Sequence, residues 1–353
     1  MMVNQNLADF SDLAFKTTIG VYLLALVFSL VYYGLFNIVA ELRRDRAAAL
    51  RGEAASNSQV KQKVAVGASG TAEAAGAGDG ARVGEQDLPE RLKDEYILRR
   101  ARRTDQFGGI AQALVWLGVA VHLVHSVTRG LANSRFPWGN LFEYIMTVTL
   151  AAMLISVVMI SRKSMRVMWP WILTPVVGLM FYGGTKLYAE SGPLVPALNS
   201  YWYSIHVSTV SIGGSIGLIS GVFSIMYLVR RTQPKGQEHG VLGKIVAPLP
   251  AAEKLDALAY RTCVWALPIF GLGVIFGAIW ADGAWGRFWG WDPKETVSLI
   301  TWLLYAAYLH ARATPGWRNW SSWINVVAFG AMVFNLFFIN MVVSGLHSYA
   351  GLS

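Results

Sequence analysis

The sequence has a single cysteine, Cys263, and it lies inside a long apolar run. One cysteine excludes an internal disulfide framework, a Cys-x-x-Cys redox pair and a thiolate metal site within this chain. Charged residues are also scarce, at 14% of the chain, whereas soluble proteins carry about 25%. Hydrophobic residues make up 54% instead, and several runs exceed the roughly 18 residues that mark a transmembrane helix. We therefore expect an all-α, polytopic integral membrane protein.

Eight apolar segments are predicted to span the membrane, near 17–40, 108–128, 141–161, 167–187, 204–230, 257–280, 297–312 and 320–343. The first is too long for a signal-peptide core and lacks a basic segment and a small-residue cleavage site, so we interpret it as a retained anchor. Three regions are expected to follow from this pattern: an N-terminal transmembrane anchor over 1–40, a cytoplasmic linker over 41–107 and a membrane domain over 108–353.

Lysine and arginine set the expected orientation. The middle of the linker, 52–84, is rich in Ala, Gly and Ser, which predicts a disordered segment. Residues 90–103 are basic and favour a short helix on an anionic leaflet. With the linker in the cytoplasm, 24 of the 30 lysines and arginines lie in cytoplasmic segments. This bias predicts both termini outside, and it explains the net charge of +9 by contact with a lipid bilayer, with no nucleic acid partner.

The most informative segment is the tryptophan-rich loop over 281–296, which is predicted to lie outside between the sixth and seventh spans. It contains Trp285, Trp289, Trp291 and Asp292, with Gly and Pro residues that favour tight turns. An interfacial aromatic belt needs only one or two rings at each helix end. A shaped aromatic loop suits a large, flat, apolar ligand with polar edges. From these residues alone, an elaborate interfacial anchor is an equal alternative.

Two histidines are predicted to lie near this loop. His206 and His347 occur at the outer ends of the fifth and eighth spans. Two neutral imidazoles beside an aromatic surface are what bis-histidine haem ligation requires. The alternative is that each histidine simply hydrogen-bonds water or lipid headgroups.

The other four histidines have different expectations. His310 follows Glu295 by 15 residues, which places it roughly 22 Å deeper in the membrane at about 1.5 Å per residue. It is either an interhelical hydrogen-bond partner or an inner ligand that needs a second ligand from another helix. His122 and His125 share one helix face, where a polar interhelical contact is favoured over a metal pair. His239 is interpreted as a solvated loop residue.

Two motifs resemble those of a known family. Residues 285–295 read Trp-Gly-x-x-Trp-x-Trp-Asp-Pro-Lys-Glu, followed by Leu-Ile-x-Trp at 299–302 and Tyr-Leu-His at 308–310. This resembles the tryptophan-rich (WWD) signature of the haem-handling proteins of cytochrome c maturation, in particular System II proteins of the CcsA/ResC type. Residues 137–143 resemble that family's Pro-x-x-Asn-Leu-Tyr-Glu element, with Phe142 where tyrosine is usual. The resemblance extends from the second span to the C-terminus.

The resemblance implies transient binding of haem b, with roles for seven residues. It implies axial ligation of the iron and a loop that cradles the macrocycle, by His206, His347 and the deeper His310, and by Trp285, Trp289, Trp291 and Asp292. No catalytic residue is expected, because the nucleophilic thiols belong to the cytochrome.

The implied function is to transport or present haem across the membrane and to assist its covalent attachment to apocytochrome c. The implied partners are a ResB-type membrane protein, apocytochrome c and, indirectly, a thiol-reducing thioredoxin-like protein. Together with the ResB-type partner the chain would form a cytochrome c synthase. The implied location is a bacterial plasma membrane, with the haem-presenting loops on the extracytoplasmic face.

The charged residues near these loops have open roles. Arg287, Arg129 and Arg135 are candidates for pairing with haem propionates, and anchoring to lipid phosphate is an equal alternative. Asp292 and Glu295 are expected to fix the loop or to begin the seventh span as acidic N-terminal residues.

Three other functions remain open on the sequence. One is a System I-type protein that delivers haem to a chaperone. Another is a b-type haem subunit of a membrane oxidoreductase, which would need histidines paired at matched depth. The third is a transporter, since Pro170 and Pro175 interrupt the fourth span, although no inverted repeat supports it.

Overall fold

A computed structural model describes residues 3–66, 88–194 and 196–347, and every regular element in these residues is helical. The α-helices of this part of the chain are α1 (Gln5–Val66), α2 (Asp94–Ala132), α3 (Leu141–Ile160), α4 (Trp169–Lys186), α5 (Tyr201–Thr232), α6 (Gly240–Val246), α7 (Ala252–Trp285), α8 (Pro293–Ala313), α9 (Arg318–Leu336) and α10 (Phe338–Met341). Short 3-10 helices occur at Glu90–Leu92, Lys163–Met168 and Pro196–Leu198. The predicted all-α class is confirmed.

Seven helical segments among the described residues are long and apolar enough to cross a membrane. They contain seven of the eight predicted spans, and the last of them, Arg318–Met341, combines α9 and α10. The other predicted span, 297–312, lies in α8, which has spanning length with 21 residues but is too polar to meet the same criterion. The chain is therefore a polytopic helical membrane protein. The side of the membrane on which each end lies stays a prediction.

Helices α1 and α2 form a long antiparallel pair. Gly118 of α2 lies against Tyr22 of α1, where a methyl group on the glycine would come within 2.4 Å of the ring. Farther along the pair, Gly108 and Tyr32 make the equivalent contact at 2.7 Å. Small residues thus let the two helix backbones approach closely, as they commonly do between membrane helices.

The end of α1 differs from the expectation. The helix does not stop near residue 40 but continues to Val66. The helix thus includes 52–66, where the composition predicts a disordered segment. Three alanines at 47–49 precede this stretch and three more lie within it; alanine is a strong helix former and extends an established helix at little cost. Residues 67–87 of the predicted linker lie outside the described residues.

Helix α5 lies at the centre of the bundle because it carries a face of glycines. Positions 213, 217 and 221 follow each other at one-turn spacing, and a methyl group at any of them would lie 2.3–2.5 Å from a neighbouring helix. The neighbours are Phe270 of α7, Tyr305 of α8 and Phe329 of α9. This close packing fixes the relative positions of the helices that carry the candidate ligands.

Four connecting segments, 133–140, 187–194, 286–292 and 342–347, meet at one end of the bundle, here called the loop end. The guanidinium of Arg135 donates to the carbonyl oxygen of Gly192 at 3.0 Å, which joins the first two segments. The ammonium of Lys294 donates to the Asn340 side chain at 2.9 Å, which joins the start of α8 to α10. The predicted spans and orientation place all four segments on the same side of the membrane, and the structure brings them together.

Candidate functional site

His206 lies in the second turn of α5 and faces the interior of the loop end. Its Nδ1–H donates to the carbonyl oxygen of Gly273 in α7 at 2.8 Å. Because a carbonyl oxygen only accepts, the proton of the neutral ring must be on Nδ1, and Nε2 keeps its lone pair. Gly277 makes room for the ring, since a methyl group there would lie 2.6 Å from Cε1 of His206.

His347 is held in a similar way by a carboxylate. Its Nδ1 donates to Oδ2 of Asp292 at 2.8 Å, and Oδ1 of Asp292 accepts from the backbone N–H of Leu346 at 2.9 Å. Burial alone would raise the pKa of Asp292, but the hydrogen bonds from His347 and Leu346 hold that pKa below its usual range. The ionised carboxylate therefore keeps the His347 proton on Nδ1. A second-nitrogen hydrogen bond of this kind is typical of metal-ligating histidines.

Trp280 contacts both histidines. Its ring is nearly parallel to that of His206, with centroids 5.9 Å apart, and its centroid is 6.0 Å from that of His347. Trp285 packs edge-on against Trp280 at 4.8 Å and lies 5.2 Å from His347. Trp280 is not recognisable as a site residue from the sequence, because it occurs at the end of an apolar run, where an interfacial tryptophan is ordinary.

The tryptophan loop is fixed by its own acidic residues. Asp292 and Glu295 form a reciprocal capping box at the start of α8. The Glu295 carboxylate also accepts from the backbone N–H of Gly290 at 2.9 Å and pairs with Arg287 at 3.2 Å. Both acidic residues thus shape the loop and begin the helix, as expected. Trp291 adopts a left-handed φ of 59°, an uncommon backbone conformation for a bulky residue that this network stabilises.

The predicted tryptophans occupy different environments. Trp285 and Trp289 line a cavity of the loop end. Trp291 is 68% exposed and packs edge-on against Trp289 with ring centroids 5.7 Å apart. Trp285 and Trp289 can therefore contact an enclosed ligand, whereas Trp291 presents its ring at the surface.

Two neighbouring cavities open at the loop end, and both are lined by His206, His347 and Lys294. Counted together with the open space at their mouths, they measure about 790 Å³ and about 640 Å³. Apolar and aromatic side chains form most of the lining, so the cavities suit a largely apolar ligand.

The donor set favours one kind of metal centre. Among residues 3–66, 88–194 and 196–347, no group of three or more His, Cys, Asp or Glu side chains could hold a metal ion. His206 and His347 therefore offer two imidazole nitrogens, and no hydrogen bond from a described residue engages Nε2 of either. A macrocycle that fills the equatorial positions with its own nitrogens needs only two such axial ligands.

His310 lies apart from this pair. It occurs near the end of α8 that is remote from the tryptophan loop, its side chain is exposed on the surface of the bundle, and it lines neither cavity of the loop end. No described residue forms a hydrogen bond with its imidazole. The alternative of a satisfied interhelical hydrogen bond is therefore not supported within the described chain.

Two of the arginines proposed for propionates have another role. Arg129 is 1% exposed and pairs with Glu143 at 3.0 Å and with Asp12 of α1 at 3.3 Å. Arg135 pairs with the other oxygen of the same Glu143 carboxylate at 2.7 Å. The structure thus uses both guanidiniums in ion pairs within the protein. These pairs join α1, α2 and α3, and the partner Asp12 is 117 residues from Arg129 in the chain.

The remaining histidines behave as interhelical or loop residues. The Nδ1–H of His125 donates to the carbonyl oxygen of Ser11 in α1 at 2.9 Å. His122 lies 3.5 Å from the hydroxyl of Tyr22. Both agree with the expected polar contact between helices. His239 is exposed in the connection before α6 and contacts the carbonyl of Gln237, as expected of a loop residue.

Fold and site together define a class: a polytopic helical membrane protein that presents two anchored imidazoles to an aromatic cavity at one end of its bundle. The sequence profile described as cytochrome c assembly protein matches residues 138–347, which is more than half of the chain. The cytochrome c biogenesis protein CcsA of Guillardia theta is 33% identical over 244 residues, covering 64% of this chain and 80% of its own length. The CcsA protein of Gloeobacter violaceus is 29% identical over 314 residues, covering 69% and 93%.

The chain therefore belongs to the cytochrome c assembly protein family, and its role lies in cytochrome c maturation. A solved structure, the Cytochrome c Heme Lyase CcmF, is similar in fold, with a TM-score of 0.57 at 16% identity. The match covers 100% of this chain and 49% of that protein, so this chain spans about half of its length.

Proposed function

We propose that the loop end holds haem b transiently between His206 and His347 and presents it to apocytochrome c. One observation carries this proposal: two imidazoles, each fixed through Nδ1, line the same cavities with Nε2 available. Axial histidine ligation would protect the iron and set its potential until the haem is attached. Trp280, Trp285 and Trp289 would provide the apolar surface on which the macrocycle lies.

The covalent step needs no nucleophile from this chain. Each thiol of the apocytochrome Cys-x-x-Cys-His segment adds across one haem vinyl group. The sulfur bonds to one vinyl carbon and the proton goes to the other, so nothing is oxidised or reduced. The thiols must arrive reduced, which is the indirect contribution of a thioredoxin-like protein. The contribution of this chain is to position the haem, which is how proteins generally assist cofactor chemistry. The histidine of the apocytochrome would then replace one axial ligand and release the product.

The proposal extends to a partner and an orientation. The distribution of 24 of 30 lysines and arginines supports an extracytoplasmic loop end in a bacterial plasma membrane. The exposed imidazole of His310 would hold haem at greater depth, together with a ligand from a ResB-type membrane partner. An ionisable residue on a membrane-facing surface is costly without a partner. This cost supports a complex in which another protein covers His310.

A visible absorption spectrum of the detergent-purified protein, co-expressed with its ResB-type partner, tests the proposal. We expect a six-coordinate, low-spin haem spectrum that is lost or weakened in both His206→Ala and His347→Ala. His239→Ala removes an exposed loop imidazole and is the matched control that should keep the spectrum. A wild-type protein that copurifies without haem, or a spectrum unchanged in both site variants, would show that this site is wrong.

A further inference from the structure

We propose that Lys294 binds a carboxylate of the ligand in the cavities, namely a propionate of haem. This inference rests on the proposed function and assigns Lys294 to the propionate edge of the haem. Of the three arginines that are candidates for this role on the sequence, two pair with Glu143. Nothing in the sequence distinguishes Lys294 from an ordinary interfacial lysine at the start of a membrane helix.

The hydrogen bonds of Lys294 leave its charge without a direct counterion. Its Nζ donates to the backbone carbonyl oxygen of Asn335 and to Oδ1 of Asn340, both at 2.9 Å. Both acceptors are neutral, and an ammonium has three N–H donors. No carboxylate of a described residue lies within ion-pair distance of Nζ. The third donor is therefore available to a ligand.

The surrounding charges make this lysine distinctive. Among the described residues that line the two cavities, Lys294 is the one lysine or arginine. The nearest acidic side chains are already engaged, Asp292 with His347 and Glu295 with Arg287. A cation in an apolar enclosure costs free energy unless an opposite charge compensates it. A carboxylate ligand would supply that charge through a charge-assisted hydrogen bond.

The position of Lys294 has a consequence for orientation. Both cavities that it lines also contain His206 and His347, so a haem ligated by the two imidazoles shares the enclosure with the ammonium. Haem carries its propionates and its vinyl groups on different edges. A cation that selects the propionate edge therefore leaves the vinyl edge for the thiols of the apocytochrome. Lys294 acts in this scheme as an orienting residue and takes no part in bond formation.

Binding of haem and of its dimethyl ester to the detergent-solubilised full chain separates this proposal from the proposed function. The ester keeps the iron and the vinyl groups but has neutral propionates. Spectral titration should show that the wild type binds haem about tenfold more tightly than the ester or better, as expected for a hydrogen bond between charged groups. Lys294→Met should lose this preference while ester binding stays within about twofold. Lys186→Met removes a lysine that is exposed at the end of α4 and should keep the preference.

A second variant covers the case in which Lys294→Met does not fold. Asn340→Asp places a carboxylate 2.9 Å from Nζ, which keeps the cation but supplies an internal counterion. In this variant the ratio of the affinity for haem to the affinity for the ester should fall toward one. Equal wild-type affinity for haem and ester, or a full preference retained in the variants, would overturn the role of Lys294 and leave the bis-histidine site standing. A wild type that binds neither compound would overturn both.

Discussion

Two pairs of histidines lie in this protein, and they differ in what surrounds them. His122 and His125 share one face of α2 and are 0% and 1% exposed. They pack against α1, with Phe15 5.6 Å from the His125 ring. His206 and His347 come from segments that are distant in the chain, yet both line the same cavities.

The comparison shows that burial and spacing alone do not make a ligand site. His125 has an Nδ1 hydrogen bond to a backbone oxygen, just as His206 does, so the second-nitrogen contact does not distinguish the pairs. The difference is the cavities. Neither His122 nor His125 lines a cavity of the loop end, whereas His206 and His347 line both. Gly277 makes room there for the His206 ring. The first pair joins two helices, and the second pair can receive a ligand.

The largest effect is expected from filling the space beside His206. Gly277→Val introduces a branched side chain where even a methyl group would lie 2.6 Å from the imidazole. Such overpacking costs about 1–3 kcal/mol, and the displaced ring can no longer ligate. We expect bound haem, measured from the absorption of the purified protein, to fall below detection. Gly283→Val is the control, because no atom lies within 4 Å of its Cβ position. Equal haem loss in both variants would contradict the steric reason.

A smaller effect is expected at the anchor of His347. Asp292→Ala removes the acceptor of the His347 Nδ1–H and one half of the capping box. Loss of such an outer partner typically lowers metal affinity about 10–100-fold. We expect a decrease of this size in haem affinity by spectral titration. Asp292→Asn keeps an oxygen acceptor and the cap, and should lose less. If Asp292→Asn lost as much haem affinity as Asp292→Ala, the charge of the carboxylate would matter more than its effect on the orientation of the His347 ring.

The smallest effect on haem binding is expected at the buried pair, His122 and His125. His125→Ala removes the hydrogen bond to Ser11 and leaves its carbonyl without that partner. Interhelical polar contacts of this kind contribute about 0.6–2 kcal/mol. The variant should unfold at lower denaturant or temperature while its haem spectrum remains that of the wild type. A changed spectrum in His125→Ala would break the distinction between the two pairs.

Much of the fold and part of the site follow from the sequence. Apolar runs predict the spans because the bilayer sets their length. His206 and His347 could be selected because each is a polar residue near an aromatic loop, and Asp292 was implied by the family resemblance. The partner of His206 could not be selected, because Gly273 offers only a backbone carbonyl. The acidic start of α8 at Asp292 and Glu295 was recognised from the local sequence.

The residues that escaped prediction depend on tertiary contacts. Trp280 and Lys294 occupy ordinary interfacial positions in the sequence. Only the meeting of α5, α7, α8 and the C-terminal segment places them at the cavities. The sequence assigns no ion-pair partner to Arg129 or Arg135. In the folded protein both pair with Glu143. Burial of charge is a property of the packed bundle, so a pattern in one segment cannot reveal it.

The central claim is that haem iron is ligated by both His206 and His347, and an exchange of ligands tests it most directly. Replacing one axial histidine by methionine raises the reduction potential of a haem. We expect the midpoint potential of haem bound to the purified protein to rise in His206→Met and in His347→Met. It should stay at the wild-type value in His125→Met. A potential that is unchanged in either loop-end variant, or one that rises in His125→Met, would contradict the account.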